Sequence, residues 1–124
     1  MFLSVGISVA VFAQPAAAVQ ESNFGFATTE DLYRVCAVEE GDANYAQARL
    51  ACHAFITATV QYHDAVTDRR NLKRLICYPT GTKIADGRAA FLAWARANAE
   101  DQERMSEVPV VGLVRGLAKA YPCR

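Results

Sequence analysis

The residues best equipped for chemistry in this 124-residue chain are four cysteines, Cys36, Cys52, Cys77 and Cys123, and two histidines, His53 and His63. A thiolate can serve as a nucleophile, a metal ligand or half of a disulfide, and spacing separates these roles. No C-x-x-C pair and no H-x-x-x-H occurs, so compact zinc ligation and thioredoxin-like redox chemistry lack a motif. The two histidines differ by roughly 80° around a helix and share no metal-binding face. His63 and Asp64 are adjacent, as are Cys52 and His53, and adjacent helical side chains diverge, which leaves no assembled nucleophile–base pair. No P-loop, G-x-S-x-G, H-E-x-x-H or G-x-G-x-x-G is present. The stretch "PTGTK" lacks the glycine spacing of a phosphate loop and reads as a turn. The expectation is therefore no catalytic residue, no metal and no cofactor. The even set of cysteines is expected to form two structural disulfides, each contributing about 3–4 kcal/mol by chain-entropy reasoning.

Disulfides require an oxidising compartment, and the start of the chain supplies a route to one. No charged side chain precedes Glu21. Phe2 to Ala13 is an apolar run of signal-peptide length, too short to span a bilayer. Pro15 and an A-x-A pattern, Ala16-Ala17-Ala18, follow, although no basic residue stands near the start. Residues 1–18 are expected to be a signal peptide cleaved after Ala18, with residues 19–124 as one exported domain that does not insert in a membrane. Thirteen basic and thirteen acidic residues cancel, which removes the electrostatic case for nucleic-acid binding.

Helices must position these groups. "ATTEDLYRVCAV" offers Thr28 or Thr29 as an N-cap, with Glu30 and Asp31 in the first turn, and puts Leu32, Val35 and Cys36 on one apolar stripe. "EEGDAN" makes a turn in which Gly41 permits positive φ and Asp42 or Asn44 can cap the next helix. Apolar positions from Ala48 and Cys52 through Phe55, Ile56, Thr59, Tyr62 and Val66 predict a helix over about 45–67, ended by "TDRRN". "RLICY" is the one strand-like piece, and Pro79 and Gly81 make a turn after it. A helix over about 83–98, capped by Thr82, buries Ile84, Ala90, Phe91, Trp94 and Ala95. "AEDQERMSE" reads as a polar connector. A last helix over about 107–120, capped by Ser106 with Pro109 in its first turn, would turn Val110, Val111, Val114, Leu117, Ala118 and Tyr121 inward. The class is all-α, a small four-helix domain with short connections. With no reaction assembled, the function points to binding.

The order of parts is specific. A leader precedes a helix carrying Cys36, then "ARLACHAFITAT", "ICYPTGT", "AAFLAWARANAE" and a terminal "GLVRGLAKAYPC". From about Thr28 to Cys123 this resembles the Rap/Tai immunity family, small periplasmic proteins that neutralise peptidoglycan amidases injected by type VI secretion systems. Cys77-x-Pro79 and Pro122-Cys123 are its most specific pieces, and a helix-ending proline is replaced by "ANAED". The resemblance implies an all-helical, often homodimeric protein that plugs the substrate cleft of a cognate amidase. Contact residues do not transfer by motif. The connector Ala99–Glu107 is the candidate contact region, with Glu100, Asp101 and Glu103 as charges and Met105 as an apolar side chain for a cleft. An alternative reading is an acid-activated periplasmic chaperone or another envelope protein on the same fold. Of three possible cysteine pairings, Cys36–Cys52 and Cys77–Cys123 are favoured. The first joins facing stripes of helices linked by a short turn, and the second ties the terminus to the proline-flanked loop.

Overall fold

A computed structural model describes residues 18–70 and 72–124. Most of the expected leader, residues 1–17, lies outside the described residues. Five helices follow a 3-10 turn at Glu21–Gly25: α1 (Thr29–Cys36), α2 (Tyr45–Arg70), α3 (Ile84–Asn98), α4 (Gln102–Met105) and α5 (Pro109–Ala120). No strand occurs among the described residues, so the class is all-α. The helix beyond the expected four is α4, a single turn inside the segment that the sequence marks as a polar connector. Helix α2 continues beyond Thr67 because Asp68, Arg69 and Arg70 include good helix formers and nothing there breaks the turn.

The caps show why the elements start where they do. Thr28 accepts from Asp31 N, and the Asp31 carboxylate accepts from Thr28 N, a reciprocal capping box that opens α1. Thr82 does not cap α3. Its hydroxyl donates to the Pro79 carbonyl at 2.7 Å, and Asp86 instead accepts from Lys83 N at 2.8 Å. Ser106 closes α4 by donating to the Gln102 carbonyl, while α5 begins with Pro109 at its first position and has Val108 as an N-cap without a side-chain bond.

The core is built from Leu32, Val35 and Cys36 of α1, Ala48, Cys52 and Ile56 of α2, Phe91, Leu92, Trp94 and Ala95 of α3, and Leu113 and Leu117 of α5. Cys36 is bonded to Cys52 and Cys77 to Cys123, and no described cysteine is free. Arg88 of α3 donates to the Cys36 carbonyl at 2.8 Å, tying α3 to the end of α1. Partial burial and the nearby Arg49 hold the Arg88 guanidinium below its ordinary pKa.

The inward stripe of α5 matches the expected one at Leu117, with Val114, Ala118 and Tyr121 packed half-buried against the core, but its centre lies elsewhere. Its buried residues are Pro109, Gly112, Leu113, Gly116 and Leu117, while Val110 is 42% exposed. The stripe is set by closeness as well as by the bulk of Leu113 and Leu117. A Cβ on Gly112 would lie 2.2 Å from Thr29 Cγ2, and one on Gly116 would lie 3.1 Å from the Phe91 Cα. Two glycines four positions apart thus let α5 rest directly on the start of α1 and on α3.

Two irregular segments are each gathered by one aspartate. Asp31 accepts from Asn23, Ala27 and Thr28, which fastens the 3-10 turn to α1. Asp64 accepts from Arg74 Nη2 at 3.0 Å and from the Tyr78 hydroxyl, which fastens the segment after α2. Burial pushes both carboxyls up, but these hydrogen bonds outweigh it and hold both below the usual aspartate range. The Asp64 carboxylate in turn pushes the Tyr78 phenol up. A carboxyl lowered on folding contributes stability that is complete above its unfolded value, about 3.9, and lost as pH falls through the lower folded value. Urea midpoints should therefore fall steeply below about pH 4, and Asp31→Asn and Asp64→Asn should each flatten that fall. An unchanged acid limb in both variants would remove these carboxylates as the cause.

Candidate functional site

The "RLICY" piece is irregular, with a bend at Leu75, and pairs with no strand among the described residues. Leu75 N and Ile76 N both donate to His63 Nε2, at 3.1 and 3.3 Å, and Cys77 N donates to the Tyr121 carbonyl at 2.8 Å. His63 is 8% exposed, and its Nδ1 bonds Asp64 at 3.0 Å. The adjacent pair therefore does meet, against the helical expectation, because both side chains turn toward the segment lying across them. With Nε2 accepting two backbone N–H groups, Nδ1 carries the proton, and both ring nitrogens are committed to structure. Thr67 completes the cluster through its bonds to the His63 carbonyl and Arg74. A His–Asp pair so placed has no nitrogen to offer a substrate. Among the described residues no group of three His, Cys, Asp or Glu is placed to hold a metal.

The connector Ala99–Glu107 is fixed along its length. Asp101 caps α4 by accepting from Arg104 N at 3.1 Å, and Arg104 donates to Asn98 Oδ1 at 2.7 Å. At the far end the Glu107 carbonyl accepts from Thr29 N at 2.7 Å and from the Thr29 hydroxyl at 3.0 Å. The Glu107 carboxylate grips Arg115 through two bonds of 3.0 and 2.8 Å. Glu100, Asp101 and Glu103 are exposed on this braced turn. Met105 is not available as an apolar probe. It is 5% exposed, because α4 winds its side chain inward as the anchor of the turn. The exposed apolar residue is Val108, directly after the connector and 57% exposed. Sequence reading passed over it because the α5 stripe was phased on its valines.

Ala99 and Met105 also form one wall of a cavity of about 430 Å³ whose opposite wall is α1 and the α1–α2 turn, with Glu30, Tyr33, Arg34, Glu39, Glu40 and Asp42. Glu30 is paired with Arg34 at 2.7 Å. The cavity lining and the connector together carry eight carboxylates against Arg34 and Arg104, with Arg115 gripping Glu107. Arg49, His53 and Arg88 line a different hollow, between α2 and α3, so neutral net charge conceals an uneven surface.

These features define a small all-helical domain stapled by two disulfides, with a braced acidic connector on its surface. The Rap1a immunity protein profile matches residues 28–123, and the chain belongs to the Rap1a immunity protein family. No curated protein and no solved structure matches it. No helix among the described residues is long and apolar enough to cross a membrane.

Proposed function

We propose that this is a periplasmic immunity protein of a type VI secretion system that binds a cognate peptidoglycan amidase and blocks its substrate cleft. The observation that carries the reading is the connector: an exposed turn bearing Glu100, Asp101 and Glu103, held by Asn98 and Thr29 at its ends and anchored by the buried Met105. Pre-ordering such a turn reduces the entropy lost on docking. Glu100, Asp101 and Glu103 supply charge complementarity to a basic cleft rim, Val108 adds an exposed apolar contact, and Met105 acts on binding only through the shape of the turn. Pairing of two copies belongs to the same proposal, and the exposed Leu50 and Tyr62 of α2, with exposed Ala54 and Ala58 between them, give that pairing an uncharged surface.

The test is binding to the amidase encoded beside this gene, with residual peptidoglycan hydrolysis as the readout. Glu100→Lys with Glu103→Lys should weaken binding by at least about ten-fold, mainly through slower association at low salt. The helical signal and Tm should stay within the small range usual for surface changes. Unchanged affinity would exclude the connector as the contact, and no inhibition by the wild-type protein would exclude the amidase.

A further inference from the structure

The described chain is fastened down immediately after the expected cleavage position. Ala18 is exposed, whereas Val19 is 7% exposed and belongs to the core cluster. Val19 N donates to Asp42 Oδ2 at 3.3 Å, across 23 positions of sequence. Gln20 N is held in turn by Asn23 Oδ1 at 2.8 Å. Asp42 cannot swing away freely, because its other oxygen accepts from Asn44 N at 2.8 Å. A carboxylate is thus aimed at one main-chain nitrogen, the first one downstream of Ala16-Ala17-Ala18.

An amide offers that carboxylate a single donor at a long distance. An ammonium at the same atom offers three donors and a full charge, adding direct charge–charge attraction to a bond in which, with an amide donor, only the acceptor is ionised. Space for it exists. Ala18 and Val19 both line the 430 Å³ cavity, whose charged lining is Glu30, Arg34, Glu39, Glu40 and Asp42, with the Tyr33 phenol beside them. Carboxylates predominate there, and Arg34 is already paired with Glu30.

We infer that hydrolysis of the Ala18–Val19 peptide bond creates an α-ammonium that Asp42 binds, so that removal of the leader completes the lock holding the first strand of chain to α1 and the α1–α2 turn. A leader protease supplies the water. Hydroxide adds to the Ala18 carbonyl carbon, the C–N bond breaks toward Val19, and Ala18 departs as a carboxylate. The Val19 amine takes up a proton, since α-amino groups titrate near about 7.7–8.0. The inference rests on the export reading, and the two can fail separately.

The full-length chain, expressed in a Gram-negative host, should yield a periplasmic product whose amino-terminal sequence begins at Val19. Any other mature terminus overturns the processing step. Residues 19–124 contain the whole described core, so the same domain can be released from a cleavable fusion that leaves Val19 first. It is compared with a product retaining Ala18, each with Asp42 or Asp42→Asn. With Asp42 present, retaining Ala18 should raise the unfolding equilibrium constant about five-fold and lower Tm by about 4–6 °C. In Asp42→Asn the two forms should match. No effect of Ala18 with Asp42 present, or an equal effect without it, overturns the ammonium lock whatever the mature terminus proves to be.

Discussion

Replacing Gly112 by alanine is expected to cost the domain about 2–3 kcal/mol and to lower Tm by about 10–20 °C. The added methyl would fall 2.2 Å from Thr29 Cγ2, 2.5 Å from Thr29 Oγ1 and 2.9 Å from Thr29 Cβ. Each of these is well inside van der Waals contact, so one helix must shift. Thr29 has no room to yield. It is fully buried, and both its backbone N–H and its hydroxyl donate to the Glu107 carbonyl at the entrance to α5. Moving α5 outward therefore stretches the bonds that fix the connector and leaves two buried donors short of a partner. Helix propensity works the other way, since alanine is favoured over glycine by about 1 kcal/mol in a helix interior, so the clash must exceed that gain. Gly116→Ala meets the Phe91 Cα at 3.1 Å and should cost less. Urea or thermal unfolding measures both, and Gly112→Ala combined with Thr29→Ala should cost clearly less than the two single changes added together. A Gly112→Ala protein as stable as wild type would mean that α5 does not sit against Thr29.

The same contact shows what the sequence could and could not convey. Helices α1 and α3 were legible from their apolar spacing and from Thr28, and the start of α2 from "EEGDAN". The α5 stripe was legible at Leu117 and, half-buried, at Val114, Ala118 and Tyr121, but it was misphased at Val110 and passed over Leu113 and the two glycines. Leu113 and Leu117 supply the bulk of the inward face, but two helices in close approach also need the absence of a side chain, and Gly112 and Gly116 provide it. The signal was present as two glycines four apart on one helix. His63 was missed for another reason. Helical geometry separates neighbours on one helix, yet here Leu75, Ile76, Arg74 and Tyr78 arrive from another segment and draw His63 and Asp64 to the same place. No periodicity encodes that meeting. Within the connector the acidic residues were read correctly as exposed, whereas the inward turn of Met105 depends on α4, a helix too short to announce itself.

Removing the terminal clasp, by Cys77→Ser with Cys123→Ser, is expected to cost up to about 4 kcal/mol. The bridge closes a separation of 46 residues, against 16 for Cys36–Cys52, and a longer loop gives the unfolded chain more freedom when the bond is lost. The shorter bridge should be worth about 3 kcal/mol on the same reasoning. Native contacts add to the difference. Cys77 N donates to the Tyr121 carbonyl, Tyr121 packs on the core, and the residues before Cys77 hang on His63 and Asp64. Without the clasp, the end of α5 and the 72–78 segment lose their mutual support, and the amides of Leu75 and Ile76 should exchange with solvent much faster than those of α1. The two bridges also differ in access. Cys36 and Cys52 are fully buried, whereas Cys77 is exposed and Cys123 half-buried. A thiol reductant should therefore open Cys77–Cys123 first, giving a partly reduced species in which α1 and α2 stay joined. Timed alkylation followed by peptide mapping reads that order directly. Loss of Cys36–Cys52 first, or an unchanged urea midpoint in the double serine variant, would show that the terminus is held by its packing and not by its cysteine.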